Sequence, residues 1–207
     1  MKKKLFIATL IPLLILSFTT KISPSQSYQI VNQSINKNIS IQQNSQIKPD
    51  YMKIMQITNW NEEISKYFIN EANNRNVSIF NEALPIINVE TGGTYNLNLI
   101  HYNTNSTKDI GAFQINDLAY KDIVKGLKEE GRKFDSWDRK NHKFNISAGL
   151  YWLEYLKNKG FEDSKLFTSY NRGINGAKMF ASRNGTYSSR YSRNVEIARK
   201  NINKMIK

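Results

Sequence analysis

The sequence has no cysteine, only two histidines, and 17 acidic residues against 30 Lys and Arg. Without cysteine the chain can form no disulfide, use no cysteine nucleophile and carry no lipid on a leader cysteine. The two histidines, His101 and His142, lie far apart without metal-ligand spacing, which argues against a zinc amidase or peptidase. A phosphate-binding loop of the form G-x-x-x-x-G-K-[ST] is also missing. We therefore expect no metal and no other cofactor.

The shortage of acidic residues leaves a formal net charge of +13 on 207 residues. A strongly basic surface attracts polyanions, and nucleic acid, anionic lipid and the acidic polymers of a bacterial wall all qualify as partners. Plain solvated surface charge explains the same composition equally well. Charge alone therefore does not choose the partner.

The N-terminal segment narrows the compartment. Residues 1–4 read MKKK, and the stretch from Leu5 to Phe18 is apolar and uncharged, as in a signal peptide. This stretch is shorter than the ~20 residues that cross a bilayer as a helix. We predict a signal peptide or an uncleaved N-terminal anchor over residues 1–20, and hence an exported protein, either secreted or held at the cell envelope.

The remaining chain divides into two parts. Residues 21–49 are rich in Ser, Asn and Gln without a sustained helical period, which predicts a disordered linker. Residues 50–207 carry the apolar and aromatic content that a folded domain needs. No cysteine is present to cross-link this domain, so its core must hold it together.

Helical patterns dominate the folded part and predict a mostly α domain. Asn61 is a plausible N-cap for one amphipathic helix, and Asn145 for another that ends before Gly160. A third helix should begin near Asn81, with Pro85 close to its first turn, and end at the glycines 92–93. Further helices are predicted before Gly173, over residues 176–185 and over 189–207. Residues 94–110 and 130–144 are expected to be irregular.

Glu90 ends the third helix in an unfavourable place for a charge. Apolar residues precede it, glycines follow it, and the negative end of the helix dipole is close. Burial among the apolar residues and the place near the negative end of the dipole both favour the protonated carboxyl, which a general acid needs near neutral pH. A solvated Glu at a helix end would show the same local pattern, so further residues have to support the reading.

Two later clusters supply side chains suited to sugar binding. Gln114 and Asn116 stand on either side of Ile115, and amides at alternating positions can hold sugar hydroxyls. Tyr170 and Asn171 add an aromatic ring and an amide at another predicted helix end. Either cluster alone is weak, because a tyrosine at helical spacing more often belongs to a core.

Taken in order, these motifs resemble a known family. The segments ETGG, DIGAFQIN, NISAGLYWL, SYNRG and YSRNV, between residues 90 and 195, are similar to successive motifs of the lysozyme-like soluble lytic transglycosylases. The form D-x-G-x-x-Q-I-N is most similar to that of the small transglycosylases that accompany bacterial secretion and conjugation systems. Such a complex and the glycan strands of peptidoglycan are the partners that the resemblance implies, and the net positive charge adds anionic wall polymers to the candidates. Nucleic acid is not expected.

The resemblance also implies a fold, a reaction and a site. The fold would be lysozyme-like with a saccharide-binding cleft, and the reaction would be cleavage of the β-1,4 bond between N-acetylmuramic acid and N-acetylglucosamine. Glu90 matches the catalytic acid/base, and Gln114 the glutamine beside the cleft. Tyr170 and Asn171 match the pair that borders the catalytic Glu, and Tyr191 matches a late tyrosine on the cleft wall. Gly111, Ala148 and Gly149 match packing positions.

The chain departs from the family pattern at three places. Thr91 replaces the usual Ser after the catalytic Glu and keeps its hydroxyl, so we expect it to serve the same site. GAFQ, residues 111–114, replaces G-L-M-Q. Arg172 replaces the alanine of Y-N-A-G and adds a charge near the cleft. These changes affect the expected substrate preference more than the reaction class.

Three functions remain open on the sequence. Two-carboxylate glycosidases need a second acid, and the nearest by motif, Asp109 and Asp117, are not compelling: an Asp before a turn glycine more often bonds backbone. A single-carboxylate transglycosylase forming 1,6-anhydromuramyl ends is therefore favoured. The alternatives are a hydrolytic lysozyme of the same fold and a non-catalytic wall-binding assembly protein.

Overall fold

A computed structural model describes residues 50–207 of the chain. The predicted signal peptide or anchor, residues 1–20, and the predicted linker, residues 21–49, lie outside the described residues. Between residues 50 and 207, none of the helices combines the length and apolar character needed to span a membrane.

The described part is mostly helical, as the sequence pattern predicted. A first helix, α1, covers described residues 50–58, and a short π-helical turn covers Ile79–Ala83. The other helices are α2 Glu62–Asn74, α3 Leu84–Glu90, α4 Asp117–Glu129, α5 His142–Asn158, α6 Asp163–Asn184 and α7 Arg190–Met205. Helix α4 falls in a stretch for which no helix was predicted.

The helix ends show which side chains satisfy the free backbone N–H groups. Asn61 caps α2 as predicted, with Oδ1 accepting from Ile64 N at 2.9 Å. The predicted cap of α5 at Asn145 is wrong: the helix begins at His142, and Asn141 caps it by accepting from Phe144 N at 2.9 Å. Asn145 lies inside α5 and is buried, so its amide is available for contacts with the neighbouring loop.

Helix α3 begins differently from the prediction. Its chain is already helical from Ile79, where a π turn forms with bonds from Ala83 N to Ser78 O and from Leu84 N to Ile79 O. Pro85 has no N–H and cannot extend the π-type ladder, while the first turn of an α-helix needs no donor at that position. Pro85 does lie in the first turn of α3, as predicted.

Helix α6 is broken where the sequence predicted a stop. Gly173 has φ 68° and ψ 167°. This conformation lies outside the helical region, and glycine adopts it more readily than other residues do. The two halves correspond to the helices predicted before Gly173 and over residues 176–185. The second half ends at Gly185, which has a left-handed φ of 69°.

A small antiparallel sheet occupies part of the region predicted to be irregular. Its strands are β1 Ile100–Tyr102, β2 Lys108–Ile110 and β3 Ile115–Asn116, in the order β1-β2-β3. Asp109 pairs with His101 on one side and with Asn116 on the other. The strands are two or three residues long and lack alternating apolar residues, so periodicity could not reveal them. The second region, residues 130–141, has turns but no helix or strand.

Helix α5 crosses the centre of the domain. It packs against α2, α4 and α6, while α3 packs against α7. Side chains with no exposed surface lie along α5, among them Ile146, Ala148, Leu150, Leu153 and Leu156. Strand β3 of the sheet also contacts α5, so the sheet lies against this central helix.

A buried ion network ties three helices together. Arg75, just after α2, contacts Glu71 at 2.8 Å, Glu154 of α5 at 2.7 Å and Glu130 after α4 at 2.7 Å. Arg132 also pairs with Glu71. The exposed fractions of the Arg75 and Glu71 residues are 5% and 3%, so neither charge could stay there without its partners.

Candidate active site

Glu90 is the last residue of α3, and the residues after it fix its position. Thr91 N donates to Ile87 O at 2.9 Å, and Thr91 Oγ1 donates to the same oxygen at 2.7 Å. Thr91 Oγ1 also accepts from Tyr95 N at 2.9 Å, and Trp60 Nε1 donates to Tyr95 O at 2.7 Å. The end of α3 is thus anchored to the core, which holds the Glu90 carboxyl in a defined place.

The surroundings of Glu90 favour its neutral form. Desolvation by burial is the main cause that raises its pKa, from an ordinary 4.5 to about 7. The hydrogen bond from Tyr191 Oη to Glu90 Oε1, 2.6 Å long, opposes this rise, whereas the negative charge of Asp109 adds to it. A carboxyl with this pKa can both release and recover a proton near neutral pH.

Glu90 opens onto a cleft of about 610 Å³. The cleft runs between the sheet with its β1–β2 loop and helices α4, α5 and α6. Five residues predicted from the sequence line it: Glu90, Gln114, Asn116, Tyr170 and Asn171. It has the size of a ligand-binding cleft and the mixture of aromatic and polar groups that sugar binding requires.

The other two predicted residues, Thr91 and Tyr191, are not among the residues that line the cleft. Thr91 is 4% exposed, and the backbone of α3 and the following loop use its hydroxyl. Its contribution is therefore to the geometry of Glu90 and not to contact with a ligand. Tyr191 reaches Glu90 from the first turn of α7, and burial raises its pKa well above the ordinary value. It remains a hydrogen-bond donor throughout the neutral range.

A second carboxylate lines the same cleft. Asp109, in the middle of β2, accepts from Asn103 Nδ2 at 3.0 Å and from Asn116 Nδ2. The expectation that an Asp before Gly111 would bond backbone is not met, because both donors are side-chain amides. The two amides orient Asp109 on the strand, and its charge is close enough to raise the pKa of Glu90. Asp117, by contrast, does not line the cleft and pairs with Arg139.

Contacts within the protein occupy the side-chain amide of Asn116. Its Nδ2 donates to Asp109 and to Thr107 Oγ1, while its Oδ1 accepts from Leu118 N as the N-cap of α4. Although Asn116 lines the cleft as expected, its amide positions Asp109 and the helix, which leaves little capacity for sugar hydroxyls.

A tight turn joins β2 to β3 and carries Gln114 into the cleft. Gly111 has φ 81°, and a Cβ on it would stand 2.3 Å from the Asn145 side chain, so only glycine fits. Asn145 holds the turn by donating to Ile110 O at 2.7 Å and accepting from Phe113 N at 3.1 Å. A Cβ on Gly149 would meet the Phe113 ring at 2.0 Å. These contacts confirm Gly111 and Gly149 as packing positions.

Gln114 itself is held in a strained conformation. Its φ of 46° is unusual for a residue other than glycine. Its Nε2 donates to Gly111 O at 2.7 Å and to Leu99 O at 3.2 Å, so the backbone fixes the amide. The Oε1 atom accepts no hydrogen bond from the other described residues and is the part of Gln114 suited to a ligand.

Tyr170 connects the turn to α6. Its Oη donates to Phe113 O at 2.8 Å, and burial raises its pKa well above the ordinary value. Asn171 follows it with an exposed side chain. The break at Gly173 ends this half of α6 at the cleft, so Tyr170, Asn171 and Arg172 all contribute to its wall.

Sequence reasoning missed several residues of this site. Asn103 and Trp152 line the cleft, but an asparagine in a loop and a tryptophan on a helix carry no distinctive signal. Asn145 was noticed for the wrong reason, as a helix cap. Its partner Gly111 offered a clue, since a glycine in a short turn often marks a close approach by another group.

Among residues 50–207, no cluster of three or more His, Asp or Glu side chains is arranged to hold a metal ion. His142 contacts Asn98 Oδ1 at 2.9 Å, and His101 lies on β1. No family model matches the chain, nor does any curated protein or solved structure.

Proposed function

We propose that this protein is a lytic transglycosylase with a lysozyme-like domain, which cleaves the β-1,4 bond between N-acetylmuramic acid and N-acetylglucosamine in peptidoglycan. The observation that carries the proposal is Glu90: a carboxyl with a pKa of about 7, facing a polar and aromatic cleft. The ordered motifs between residues 90 and 195, which resemble those of this family, supply the reaction class. The basic chain suits an anionic cell wall reached after export, with a secretion or conjugation complex as the candidate partner.

The first chemical step uses Glu90 as an acid. Its proton passes to the glycosidic oxygen, the bond from that oxygen to C1 of the muramyl ring breaks, and the N-acetylglucosamine end departs as an alcohol. The acetamido oxygen of the substrate stabilises the electron-poor C1. Tyr191 donates to the carboxylate that Glu90 becomes, which stabilises the charge at the moment it appears.

The second step uses Glu90 as a base. The carboxylate takes the proton of the muramyl 6-hydroxyl, whose oxygen bonds to C1 and closes a 1,6-anhydro ring. Glu90 recovers its proton, and no water is consumed. Because the nucleophile belongs to the same sugar ring, it needs no separate binding site.

The cleft contributes positioning groups. Gln114 is fixed by two backbone carbonyls, so its free Oε1 can accept a sugar hydroxyl or N-acetyl N–H without further ordering. Tyr170 is tied to Phe113 O, and its ring forms part of the wall beside Asn171. We assign these three residues to substrate binding.

A second candidate function is hydrolysis by the same cleft, and Asp109 is the observation that favours it. A carboxylate on the sheet can stabilise the positive charge at C1 or orient a water, as the second acid of a two-carboxylate glycosidase does. The protein would then be a lysozyme and would leave a reducing end. The third function considered, a non-catalytic wall-binding protein, gives no reason for the raised pKa of Glu90.

The products of peptidoglycan digestion test the proposal. The full chain, its Glu90→Gln variant and a matched Glu62→Gln variant, which alters an exposed carboxylate on α2, are incubated with purified peptidoglycan. The muropeptides are then treated with borohydride and analysed by mass spectrometry. Anhydro ends that resist reduction and depend on Glu90 are expected. Reducible ends would instead make the protein a lysozyme, and no cleavage by folded protein would overturn both catalytic functions.

A further inference from the structure

Positive charge is concentrated at the C-terminal end of the described part. Residues 164–207 contain ten Lys and Arg and a single acidic residue, Glu196. Residues 50–163 contain 14 Lys and Arg against 16 Asp and Glu, so they carry a small negative charge. The net positive charge of the described part therefore lies on α6, α7 and the short segments that follow them. Charge spread evenly for solubility would not be divided in this way.

Most cations of this C-terminal region lack a carboxylate partner. Among the described residues, Arg199 is the only cation after residue 163 that forms an ion pair, and it contacts Asp163 at 3.2 Å as well as Glu196. Ion pairs between lysines and carboxylates are common in residues 50–163, both on the surface and partly buried. The unpaired charges of α6 and α7 are therefore available to an anionic ligand.

One face of α7 presents three of these cations in a row. Arg193, Lys200 and Lys204 are exposed, and their spacings of seven and four residues place them on the same side of the helix. At about 1.5 Å per residue, the row is about 16 Å long. Arg193 Nη1 donates to Ser188 O at 2.8 Å, which orients the guanidinium and leaves its other N–H groups as donors. We call these three residues the basic row.

A groove of about 330 Å³ lies beside the basic row. Its lining comes from α7 and from the end of α3 with the glycine turn that follows it. The α7 side includes the exposed amides of Asn194 and Asn201, which directly follow Arg193 and Lys200, and the exposed Ile197. The groove thus offers hydrogen-bonding groups next to positive charges on a fixed helix.

The basic row and the candidate cleft lie on different sides of α7. Tyr191 donates to Glu90, and Arg193 follows it by two residues, which puts the two side chains on nearly opposite sides of the helix. None of the three row residues is among those that line the cleft. A ligand held on the row therefore leaves the cleft open.

These features fit a polymer that carries a phosphate in every repeat. Guanidinium and ammonium groups both bind phosphate, and amides suit the hydroxyl groups of a polyol. A membrane surface fits less well, because interfacial helices insert a broad apolar face. Between residues 190 and 205, the large apolar side chains that are exposed are only Ile197 and Met205. Single-stranded nucleic acid fits less well too, since the one aromatic residue of α7, Tyr191, is engaged with Glu90.

We propose that the basic row and the groove beside it bind an anionic polymer of polyol phosphate repeats, of the kind that bacterial walls carry. The bound polymer holds the protein at the wall while the cleft acts on a glycan strand. The inference goes beyond the proposed function, because binding at this face requires no cleavage and no contact with Glu90.

Soluble poly(glycerol phosphate) tests this binding without peptidoglycan. The full chain and two triple variants are titrated with the polymer by calorimetry at low and moderate salt. The row variant combines Arg193→Gln, Lys200→Gln and Lys204→Gln. The control variant removes the same number of positive charges from exposed lysines that form no ion pair with described residues and lie outside α6 and α7: Lys121→Gln, Lys133→Gln and Lys140→Gln.

The row variant should lose much more affinity than the control. At low salt we expect it to bind the polymer about tenfold more weakly than the parent, whereas the control should lose about twofold. The slope of log affinity against log salt should fall by about two for the row variant, as for three lost contacts to a single-stranded polyanion. Equal losses in the two variants, or no binding by the parent, would overturn the inference, because net charge would then explain whatever affinity exists.

Two further ligands test the choice of polymer. The three proteins are also mixed with vesicles of phosphatidylglycerol and phosphatidylcholine in equal parts, and with a short DNA duplex. Both variants keep residues 1–20, so comparing them cancels any contribution of that segment to vesicle binding. A loss by the row variant that is larger for vesicles or for DNA than for poly(glycerol phosphate) would assign the face to that ligand and refute the inference. Product analysis of peptidoglycan digestion decides the proposed function separately, since it depends on Glu90.

Discussion

Tyr191 donates a hydrogen bond to Glu90 across 101 residues of sequence, joining the first turn of α7 to the last residue of α3 over 2.6 Å. The two helices pack along one another, so the contact is set by the core. The bond favours the ionised carboxyl and limits the rise in pKa that burial causes. Glu90 therefore lies between two opposing influences, and each can be altered separately.

Tyr191→Phe removes the hydroxyl and keeps the ring. The pKa of Glu90 should rise, because the lost bond stabilised the carboxylate. Activity requires protonated Glu90, so the alkaline limb of the kcat/KM profile should move to higher pH. At the optimum, activity should fall by about tenfold, since the carboxylate formed on proton transfer has lost a charge-assisted bond.

The measurement for Tyr191→Phe is the pH profile of peptidoglycan solubilisation, with Tyr187→Phe as control because Tyr187 lies outside the cleft residues. An alkaline limb that moves to lower pH, or does not move, would contradict the view that the hydroxyl stabilises the Glu90 carboxylate. A structural role alone would lower activity at every pH by the same factor.

Asp109→Asn tests the second carboxylate and should shift the pKa of Glu90 in the direction opposite to that of Tyr191→Phe. Removing the negative charge should lower the pKa of Glu90, so the alkaline limb should move to lower pH. In a transglycosylase the anhydro product should persist at a rate reduced by about tenfold, as one electrostatic contribution is lost. In a two-carboxylate hydrolase the loss should reach about a thousandfold, as expected when a positioned acid–base group is removed.

The product analysis for Asp109→Asn uses the same borohydride treatment, with Asp163→Asn, at the exposed start of α6, as the matched substitution outside the cleft. Unchanged kinetics together with an unmoved pH profile would remove Asp109 from the reaction. Asparagine keeps one of the two oxygens that accept from Asn103 and Asn116 and sets an NH2 group against the other donor, so the unfolding free energy of this variant is measured beside its activity.

Whether the sequence could predict a residue of this site depends on how far apart in the chain that residue and its contacts lie. Glu90, Gln114, Tyr170 and Asn171 follow from local features, such as a carboxyl at a helix end or amides beside a glycine turn, and all four line the cleft. Asp109 could not be assigned, because its neighbours Asn103 and Asn116 reach it only through the pairing of three very short strands. The helical class followed from periodicity, whereas the sheet and α4 did not.

Asn145 shows that local sequence rules also fail for a residue inside a helix when its contacts are distant in sequence. Asparagine before an apolar run commonly caps a helix, and that rule predicted Asn145 as the cap, whereas Asn141 caps the helix in the structure. In the structure, the amide of Asn145 instead forms hydrogen bonds with Ile110 and Phe113, in a turn 32 to 35 residues earlier in the chain. A local rule cannot distinguish these uses, since both require the same side chain.

Asn145→Ala should therefore destabilise the domain and disturb the cleft together. It leaves Phe113 N and Ile110 O without their partner in a buried place, and each unsatisfied group costs about 1–3 kcal/mol. Denaturant unfolding should show a loss of about 2–5 kcal/mol. Asn141→Ala, which removes only the helix cap, should cost about 1 kcal/mol. Equal losses for the two variants would contradict the tertiary role of Asn145.

The unfolding free energy of Glu90→Gln should rise with pH relative to that of the parent. The folded pKa of about 7 lies above the ordinary 4.5, so folded Glu90 holds its proton through a range in which the unfolded chain has released it. The unfolding free energy that Glu90 contributes is fully present below pH 4.5 and is lost as pH rises towards and through 7. Gln cannot ionise and avoids this loss. The variant should therefore gain stability relative to the parent between pH 4.5 and 7, reaching up to about 3 kcal/mol above pH 7.

Urea unfolding at pH 4, 6 and 8 measures the difference, and Glu62→Gln, at the exposed start of α2, reports the effect of losing a surface carboxylate. A gain that is the same at all three pH values would mean that Glu90 is ionised in the folded protein, and the acid step assigned to it would fail.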